Sequence, residues 1–451
     1  MTFADKTTLG QSAVLGLQKS AHLDQNQFNW LGTVFYLSYL AFQYPQNLAL
    51  QYFPVGRWIS INVFVWAVAL LCHAACKSFG ALFAVRFIMG MCEGAITPGF
   101  LIVTAMFYTR EEQTRRVGYW FLMNGFAIIA LGFISFGVLH THTGSFAPWQ
   151  WLMIITGALT LLTSLAFWFL FPDSPTSAWF LSPDERVMAV RRIRVNQAGV
   201  ENKHWKKNQF IETLRDPKTW MFALFAAVAN LVNSLTNQRQ IIVHQFGFNL
   251  IQTTLIGCVD GVVEIITIWF GTTLASYWPY GRALAALLMF IPSILGSILV
   301  TTLPAHHKVG LLFSYWLSIF AITPFVILLA WLANVTAGHT KRTTTNAIVL
   351  IGYGIGNAAG PFMWKARYQP RNHVPWGIIA GASFCSILIL LAIRTYLARE
   401  NTRRDQETRD ELYDNVRIAH AGADGKVVEK LVDREFLDLT DRENREFRYV
   451  L

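Results

Sequence analysis

Apolar residues in this chain are gathered into runs of about twenty, separated by shorter polar stretches. A helix needs about 20 apolar residues to cross a bilayer. Eleven runs approach or exceed that length, at 28–53, 58–76, 82–107, 117–139, 150–171, 219–243, 250–275, 283–303, 309–333, 345–364 and 376–397. The pattern predicts an all-α membrane protein with about 11 full transmembrane helices.

One long polar stretch divides these runs into two groups. We expect a helix bundle at residues 1–171, a loop between the bundles at 172–216, a second bundle at 217–397 and a charged tail at 398–451. Lysine and arginine are concentrated in the connections that lie on the same side as the long loop, and connections of that kind remain in the cytosol. The loop and the tail are therefore predicted to be cytosolic.

The beginning of the chain does not fit this alternation of spans. Five spans precede the long loop, so residues 1–20 have to rise from the cytosolic side, but they are too short and too polar to cross alone. We expect the first helix to be incomplete here, and the layout to be six spans, a loop and six spans. Two similar turns support the two halves, because Pro54-Val55-Gly56-Arg57 and Pro279-Tyr280-Gly281-Arg282 fall at corresponding connections.

The composition agrees with a chain that lies mainly in lipid. Apolar residues make up 53% of the chain and charged residues 14%, whereas about a quarter of a soluble protein is charged. The net charge of +10 is not collected in one basic patch, so we expect no nucleic-acid partner. The five cysteines lie in apolar runs without partners at ligand spacing, so we expect no metal site. No nucleotide-binding, nucleophile or zinc-protease motif is present, so we expect no catalytic residues and no enzyme.

Ionisable residues inside the apolar runs are the first candidates for function, because a charge at the centre of a bilayer costs at least ~2.5–3.5 kcal/mol. Arg86 and Glu93 are seven residues apart, so they share one face of a helix, about 10 Å apart along its axis. A carboxyl group that has lost its water has a raised proton affinity, which suits Glu93 to proton coupling. The alternative is that both residues pair with other helices for structure alone.

Asp260 and Glu264 form a second pair of candidates, one helical turn apart. Two carboxylates this close repel each other, so at least one of them holds a proton or finds a cation. We interpret both residues as further candidates for proton coupling. The alternative is a position near the membrane interface.

Neutral polar side chains mark two of the later spans. Five of them share roughly one stripe of the seventh span of the restored count: Asn230, Asn233, Ser234, Asn237 and His244. Asn357 follows a series of glycines in the eleventh span. A water-filled cavity would hydrogen-bond such residues, whereas lipid would not. We interpret Asn230, Asn237 and Asn357 as substrate contacts, and the alternative is a polar seam between helices.

With these residues in view, the whole chain resembles the major facilitator superfamily, in particular its anion:cation symporter branch and the fungal allantoate-permease-like members. The resemblance depends on ten segments: Phe3-Ala-Asp5-Lys6, Trp30-Leu-Gly32 with Tyr44-Pro45, Arg86-Phe with Gly90, Glu93-Gly and Pro98-Gly99-Phe100, Tyr108-Thr-Arg110-Glu111-Glu112-Gln113, Pro172-Asp-Ser174-Pro175, Asp216-Pro-Lys218-Thr219-Trp220, Ala337-Gly338-His339-Thr340-Lys341, Thr344-Thr-Asn346-Ala347-Ile348, Arg399-Glu-Asn401 with Arg403-Arg404-Asp405, and Phe447-Arg448-Tyr449. These segments are specific to the family and only weakly specific to any substrate.

The resemblance implies the major facilitator fold, with two pseudo-symmetric six-helix bundles and alternating access. It also implies proton-coupled uptake of a small organic anion, such as allantoate or another ureido acid, a vitamin-like acid or a short peptide. In addition, it implies that Lys6 contacts the substrate carboxylate, that Glu93 carries the coupled proton and that Arg86 is the electrostatic partner of Glu93. Because Lys6 and Arg86 supply fixed positive charge that suits a carboxylate, we interpret Arg86 as a substrate contact as well.

The two repeated turns correspond to the gating loops of the family, and the resemblance assigns that role to Gly56, Arg57, Gly281 and Arg282. The family usually has an aspartate before this Gly-Arg pair, whereas Gln51 stands near that place here. We expect no cofactor beyond the proton gradient that drives transport. We expect a monomer in the plasma membrane, whose partners are the substrate, protons and the lipid bilayer.

Two other functions stay open at this point. One is an exporter of a small metabolite on the same fold, although proton antiporters of the family tend to carry a Gly-Pro signature in the fifth helix. That helix reads Gly118, Asn124-Gly125 and Gly132 here, without proline. The other is a non-transporting nutrient sensor, which only the long cytosolic tail favours.

Overall fold

Helices occupy the apolar runs of the sequence in the computed structural model. The structure describes residues 2–108, 110–141, 146–194, 205–278, 281–407, 417–421, 427–431 and 438–451. Pro279 and Tyr280 of the second repeated turn lie outside the described residues, as do parts of the long loop and of the tail.

The first half of the chain forms eight helices: α1 Thr2–Val14, α2 Leu17–Ser20, α3 Gln25–Tyr52, α4 Val55–His73, α5 Phe79–Glu93, α6 Ile96–Phe107, α7 Arg110–Leu139 and α8 Pro148–Leu170. α5 and α6 together fill one predicted run. Pro98 explains the break between them, because it has no N–H group to donate to the carbonyl of Gly94.

Two helices lie between the halves, α9 Pro183–Arg194 and α10 Lys207–Arg215. The second half forms eight more: α11 Pro217–Leu231, α12 Leu235–Gln245, α13 Leu250–Tyr277, α14 Arg282–Thr302, α15 Lys308–Ser318, α16 Thr323–Val335, α17 His339–Ala359 and α18 His373–Asp405. Short 3₁₀ helices occupy Val232–Ser234, Ile319–Ile322, Gly360–Met363 and Ala366–Tyr368. Pro324 explains why α15 and α16 do not form one continuous α-helix.

A small hairpin departs from the all-helical pattern. Strands β1 Arg417–Ala421 and β2 Val427–Leu431 pair antiparallel, with Arg417 opposite Leu431. The sequence patterns did not predict this hairpin. It lies in the tail and does not alter the helical membrane fold.

Nine helical stretches in the described parts of the chain are long and apolar enough to cross a membrane. α3 and α17 have 28 and 21 residues and are more polar. With these two, the described helices account for all eleven predicted runs. α1 has 13 residues, or about 20 Å at 1.5 Å per residue. The expectation that this first helix is incomplete stays a prediction.

The buried apolar residues form two separate cores. One core includes Trp66, Met89 and Trp149 of the first half, and the other includes Trp331 and Trp376 of the second half. The boundaries at 171, 216 and 397 stay a prediction. At its end the chain differs from the predicted tail in two respects, because α18 continues to residue 405 and Tyr449 packs into the second core.

The two halves approach each other closely at three pairs of helices. α1 meets α12, α3 meets α17 and α7 meets α13. Glycines permit this approach, since a Cβ atom on Gly10 would lie 2.7 Å from the carbonyl oxygen of Asn237, and one on Gly125 would lie 2.6 Å from that of Gly261. α1 is therefore in contact with both halves of the molecule.

Hydrogen bonds between α3 and the end of α17 lie toward one end of the bundle. Asn29 donates to the carbonyl of Trp364 at 2.7 Å, and Thr33 donates to that of Ala358 at 2.9 Å. Both residues are in the half of α3 that is predicted to face away from the cytosol. These bonds join the two halves at their predicted outer end.

Candidate functional site

Two of the residues that the sequence implicates form an ion pair between α1 and α5. The Lys6 ammonium group contacts the Oε1 atom of Glu93, and it lies 5.8 Å from the centre of the Phe35 ring. Glu93 is buried, and among the described residues its Oε2 atom has no hydrogen-bond partner. The hydroxyl groups of Tyr39 and Tyr353 interact electrostatically with Lys6. Lys6 and Glu93 therefore lie together beside two tyrosines, Tyr39 and Tyr353.

A second acid–base interaction joins the same two helices. Asp5 is fully buried and attracts Arg86, which is also buried. The Oδ2 atom of Asp5 accepts a hydrogen bond of 3.2 Å from Thr160 on α8. Within the described chain, the Oδ1 atom of Asp5 and the Nε and Nη2 atoms of Arg86 have no hydrogen-bond partner. This cluster is only partly satisfied by its own side chains.

The expected partnership between Arg86 and Glu93 is not found among the described residues. Glu93 pairs with Lys6, and Arg86 interacts with Asp5. The spacing explains the difference, because two turns of α5 separate Arg86 and Glu93 by about 10 Å. α1 instead presents an adjacent acid and base, one to each of them.

We call Asp5, Lys6, Arg86 and Glu93 the charge quartet. Two carboxylates and two cations give it no net charge. Neutrality matters because removing one partner from a buried ion pair leaves an uncompensated charge, which typically costs about 3–5 kcal/mol. His73 lies beside the quartet, fully buried, and interacts electrostatically with Arg86.

The second half contains a smaller charged cluster. Arg239 on α12 donates from Nη2 to Glu264 on α13 at 2.8 Å, and both residues are buried. Asp260 accepts hydrogen bonds from the Tyr315 hydroxyl at 2.9 Å and from the Trp316 indole at 2.8 Å. Glu264 thus pairs with a cation, Arg239, which offsets the repulsion between Glu264 and Asp260. Asp260 accepts hydrogen bonds from neutral donors.

Sequence reasoning missed Arg239 and Asp5 as members of these clusters. Arg86 was selected because a charge inside an apolar span is costly. The same reason applies to an arginine inside another span and to an acid on a buried helix. Applied to every ionisable residue, that reasoning would have found Arg239, which lies within the predicted run at 219–243.

The amide side chains line the region between the halves. Asn233 donates to the Asn357 side-chain oxygen at 2.6 Å, and Asn357 donates to the carbonyl of Tyr353 at 2.8 Å. Asn237 lies against α1 and α3, where a Cβ atom on Gly32 would be 3.0 Å from its amide nitrogen. Asn230 is buried and donates to the carbonyl of Ala226 in its own helix at 2.8 Å. Asn237 and Asn357 are therefore beside the other half, whereas the amide group of Asn230 bonds within α11.

The first repeated turn is held by the segment that follows α8. Asp173 accepts a hydrogen bond of 3.2 Å from the backbone N–H of Arg57, and its other oxygen lies 3.6 Å from the Arg57 Nε atom. A Cβ atom on Gly56 would approach the same carboxylate to 2.9 Å. No local sequence pattern indicates this contact, because Asp173 is 116 residues from Arg57.

The second repeated turn is held in a similar way. The backbone N–H of Arg282 donates to the carbonyl of Leu451 at 2.6 Å. Gly281 has a φ of +98°, a conformation that glycine adopts readily and other residues rarely adopt. We call Gly56 with Arg57 the first gating turn, and Gly281 with Arg282 the second gating turn.

The sequence of this chain is similar to those of known transporters. The family described as the Major Facilitator Superfamily matches residues 1–361. The chain is 33% identical to the thiamine pathway transporter of Saccharomyces cerevisiae, over 100% of this chain and 82% of that protein. It is 29% identical to the high affinity cysteine transporter of the same yeast, over 100% and 87%. It is also 29% identical to the yeast allantoate permease, over 100% and 82%.

A solved structure shares the architecture at low sequence identity. The inward open conformation of the xylose transporter from E. coli matches with a TM-score of 0.64 and 12% identity, over 86% of this chain and 94% of that one. The prediction of a major facilitator fold is confirmed.

The Arg239–Glu264 pair makes a stability prediction. Arg239→Met or Glu264→Met alone leaves one buried charge unpaired and should lower the free energy of unfolding by about 3–5 kcal/mol. The double variant removes both charges of the pair and leaves Asp260 with its two neutral donors, so it should lose much less than the sum of the single variants. Thermal unfolding of the purified protein in detergent measures all three. Arg403→Gln, in an exposed ion pair with Glu407, is the control and should cost less than about 1 kcal/mol. Additive losses in the double variant would contradict the pairing.

Proposed function

Because the chain belongs to the major facilitator superfamily, we propose that it is a proton-coupled symporter of a small organic anion that works by alternating access. Its named relatives are membrane transporters and not enzymes, and it is itself a multi-pass membrane transporter. The direction of transport, the coupled ion and the substrate are the proposed part.

The contact between Lys6 and Glu93 in a neutral quartet is the observation that carries this proposal. A substrate carboxylate that binds Lys6 competes with Glu93 for the same ammonium group. Binding then adds one negative charge to four buried charges that already cancel. Since an unmatched buried charge is costly, uptake of one proton by a quartet carboxyl group restores neutrality.

We assign this proton to the carboxyl group of Glu93. It is the residue that loses its partner when the substrate takes Lys6, and its Oε2 atom has no other hydrogen-bond donor among the described residues. A carboxylate left without a cation in an apolar place binds a proton more tightly. Arg86 and Asp5 stay paired during this exchange and hold the remaining charge of the site.

The proton gradient is the driving force in this scheme, and no cofactor takes part. We place the protein in the plasma membrane as a monomer, with lipid, protons and the organic anion as its partners and no role for nucleic acid. Asp260 is the second candidate for the proton, because in the described parts of the chain Asp260 and Glu264 share a single buried cation, Arg239.

The amide groups suggest the other end of the substrate. Asn233, Asn237 and Asn357 lie where the two halves meet, and amides suit hydroxyl, amide or ureido groups. A large apolar substrate would leave such groups without partners at about 1–3 kcal/mol each. Two of the named relatives, the cysteine transporter and the allantoate permease, have cargo that carries a carboxylate. We propose a small polar monocarboxylate.

Glu93→Gln tests the coupling step. The variant retains the shape of the side chain but cannot exchange a proton, so it should abolish accumulation of labelled substrate against a gradient. Exchange of labelled for unlabelled substrate should persist, because exchange needs no net proton movement. Uptake and counterflow in vesicles measure the two activities.

Asp184→Asn is the control for that experiment, since Asp184 is exposed on α9, and it should transport normally. Normal accumulation by Glu93→Gln would assign the proton elsewhere, with Asp260→Asn as the next variant. An uncoupler separates the remaining functions, because a symporter loses accumulation, an exporter gains it and a sensor shows no flux.

The substrate assignment predicts a pattern of competition. Anionic ureides, vitamin-like acids, amino acids or short peptides should inhibit uptake, and their amides or esters should inhibit at least about tenfold less, because they lack the charge that Lys6 binds. Competition against a labelled carboxylate measures this series. Inhibition by cationic compounds and by no carboxylate would overturn the assignment.

A further inference from the structure

Residues 438–451, which we call the strap, lie across the ends of several helices of the second half. The segment contains seven acidic and basic side chains apart from its tyrosine and reads as a solvated tail. In the structure its residues contact α10, α11, α14, α16, α17 and α18. Thr440, Asp441 and Tyr449 are buried. The strap is thus an integral part of this end of the second half.

Asp441 is the buried attachment point of the strap. Its Oδ2 atom lies 2.6 Å from the Lys218 ammonium group on α11, and its Oδ1 atom lies 3.0 Å from that of Lys341 on α17. Tyr449 donates its hydroxyl to Asp441 at 2.7 Å. All four side chains are buried, so the strap supplies a carboxylate that two buried lysines share.

The same contacts keep this attachment charged. Burial disfavours the carboxylate, but Lys218 and Lys341 lower the pKa of Asp441 from 3.8 to about 2. The depressed pKa of Asp441 stabilises the docked strap at every pH above the ordinary pKa of an aspartate. That stabilisation is lost as the pH falls toward 2. Asp441 is therefore a carboxylate throughout the physiological pH range.

Tyr449 provides a second attachment through its backbone and its ring. Its N–H donates to Asn401 at 2.9 Å and its carbonyl accepts from Asn401 at 2.8 Å, so one side-chain amide satisfies both groups. The Arg404 guanidinium lies 4.5 Å from the centre of the tyrosine ring and donates to its hydroxyl at 2.9 Å. These contacts hold the last residues of the strap against α18.

The strap then reaches the second gating turn. Trp331 donates to the carbonyl of Val450 at 2.6 Å, and the next carbonyl, that of Leu451, accepts from the backbone N–H of Arg282 at 2.6 Å. Gly281, the N-cap residue of α14, has no side chain that could cap the helix, and this carbonyl satisfies the first N–H group. A Cβ atom on Gly281 would lie 2.0 Å from the same oxygen, and glycine is needed for this close approach.

The two gating turns are therefore held by equivalent means. In the first half the segment after α8 supplies Asp173 to the N–H of Arg57, and in the second half the segment after α18 supplies Leu451 to the N–H of Arg282. Each half uses the chain that follows its last helix to hold its own turn. The acceptor is a side-chain carboxylate in the first half and a main-chain oxygen in the second, so the equivalence is one of position and of the N–H group that is bound.

We propose that the strap positions the second gating turn and thereby sets the turnover of transport, with Asp441 and Tyr449 as positioning residues. The gating part of this inference rests on the proposed transport function. If the strap already holds the backbone of the second gating turn in position, less of that backbone has to be ordered each time the two halves close, and the conformational step is faster. None of the described strap contacts reaches Lys6 and Glu93 of the other half or the amide side chains of the second half, so the strap acts on the rate of the cycle and leaves substrate binding unchanged.

Hydrogen exchange of the backbone amides tests the positioning directly. Asp441→Asn in the full-length protein should speed exchange at Arg282 by roughly tenfold, about the effect of losing one hydrogen bond, and leave exchange at Arg57 unchanged. Asp173→Asn should do the reverse. Tyr449→Phe removes one hydroxyl from the attachment without exposing a charge, and it should give a smaller change at Arg282 if Asp441→Asn does not fold.

Transport by the same variants tests the functional part. Turnover per folded molecule should fall in Asp441→Asn and Tyr449→Phe, while KM for the carboxylate stays within about twofold of the parent value. Asp405→Asn is the control, because its ion pair with Arg448 is exposed, and it should change neither exchange nor turnover.

Three results would overturn the proposal. They are unchanged exchange at Arg282 in the folded variants, equal acceleration at both turns, and faster exchange at Arg282 with unchanged turnover. Equal acceleration would mean a general loss of stability. If the parent protein shows no carboxylate flux, the proposed function fails, and exchange at Arg282 alone then decides whether the strap positions the turn.

Discussion

A charge that is buried among apolar helices must be matched by an opposite charge or by hydrogen bonds, and this requirement governs each functional region of the molecule. The penalty for an unmatched charge is several kcal/mol, comparable to a large part of the stability of a folded domain. The charge quartet meets the requirement with two acids and two bases. Asp441 of the strap meets it between two buried lysines, Lys218 and Lys341.

In the proposed cycle this constraint becomes a mechanism of coupling. The quartet lies on α1 and α5, and α1 also packs against α12 of the other half. A change of partner at Lys6 therefore occurs on the helix that joins the two halves. An arriving carboxylate and an arriving proton together leave the net charge of the site unchanged, and each alone would not. Charge balance of this kind links two solutes without direct contact between them.

The strap applies the same chemistry to a different purpose. Its buried carboxylate holds a chain segment on the helix ends, and its last carbonyl satisfies the first N–H group of α14. Asp173 does the equivalent for Arg57 in the first half. The two repeated turns noticed in the sequence are thus related in their surroundings as well as in their residues.

The span pattern and the cost of buried charge were enough to predict the helices, the burial of Arg86 and Glu93, and that Asp260 or Glu264 would hold a proton or find a cation. They were not enough to predict partners. The resemblance to the family matched Arg86 with Glu93, whereas in the structure Arg86 interacts electrostatically with Asp5 of α1. Pairing across helices depends on packing that a single sequence does not encode in its local pattern.

The strap shows the same limit more strongly, because 223 residues separate Lys218 from Asp441. A charged segment of this kind is usually solvated, and nothing in its composition distinguishes it from one that docks. Asn230 donates to the carbonyl of Ala226 in its own helix, and its expected contact with the substrate stays a prediction.

The stoichiometry of charge and protons in proteoliposomes tests the central claim most directly. If the neutral quartet accepts one carboxylate and one proton together, each substrate molecule should enter with one proton and carry no net charge. Uptake should then follow the pH difference and be unaffected by a membrane potential imposed at constant pH. Substrate entry without proton entry, or a current that accompanies each carboxylate, would contradict the account.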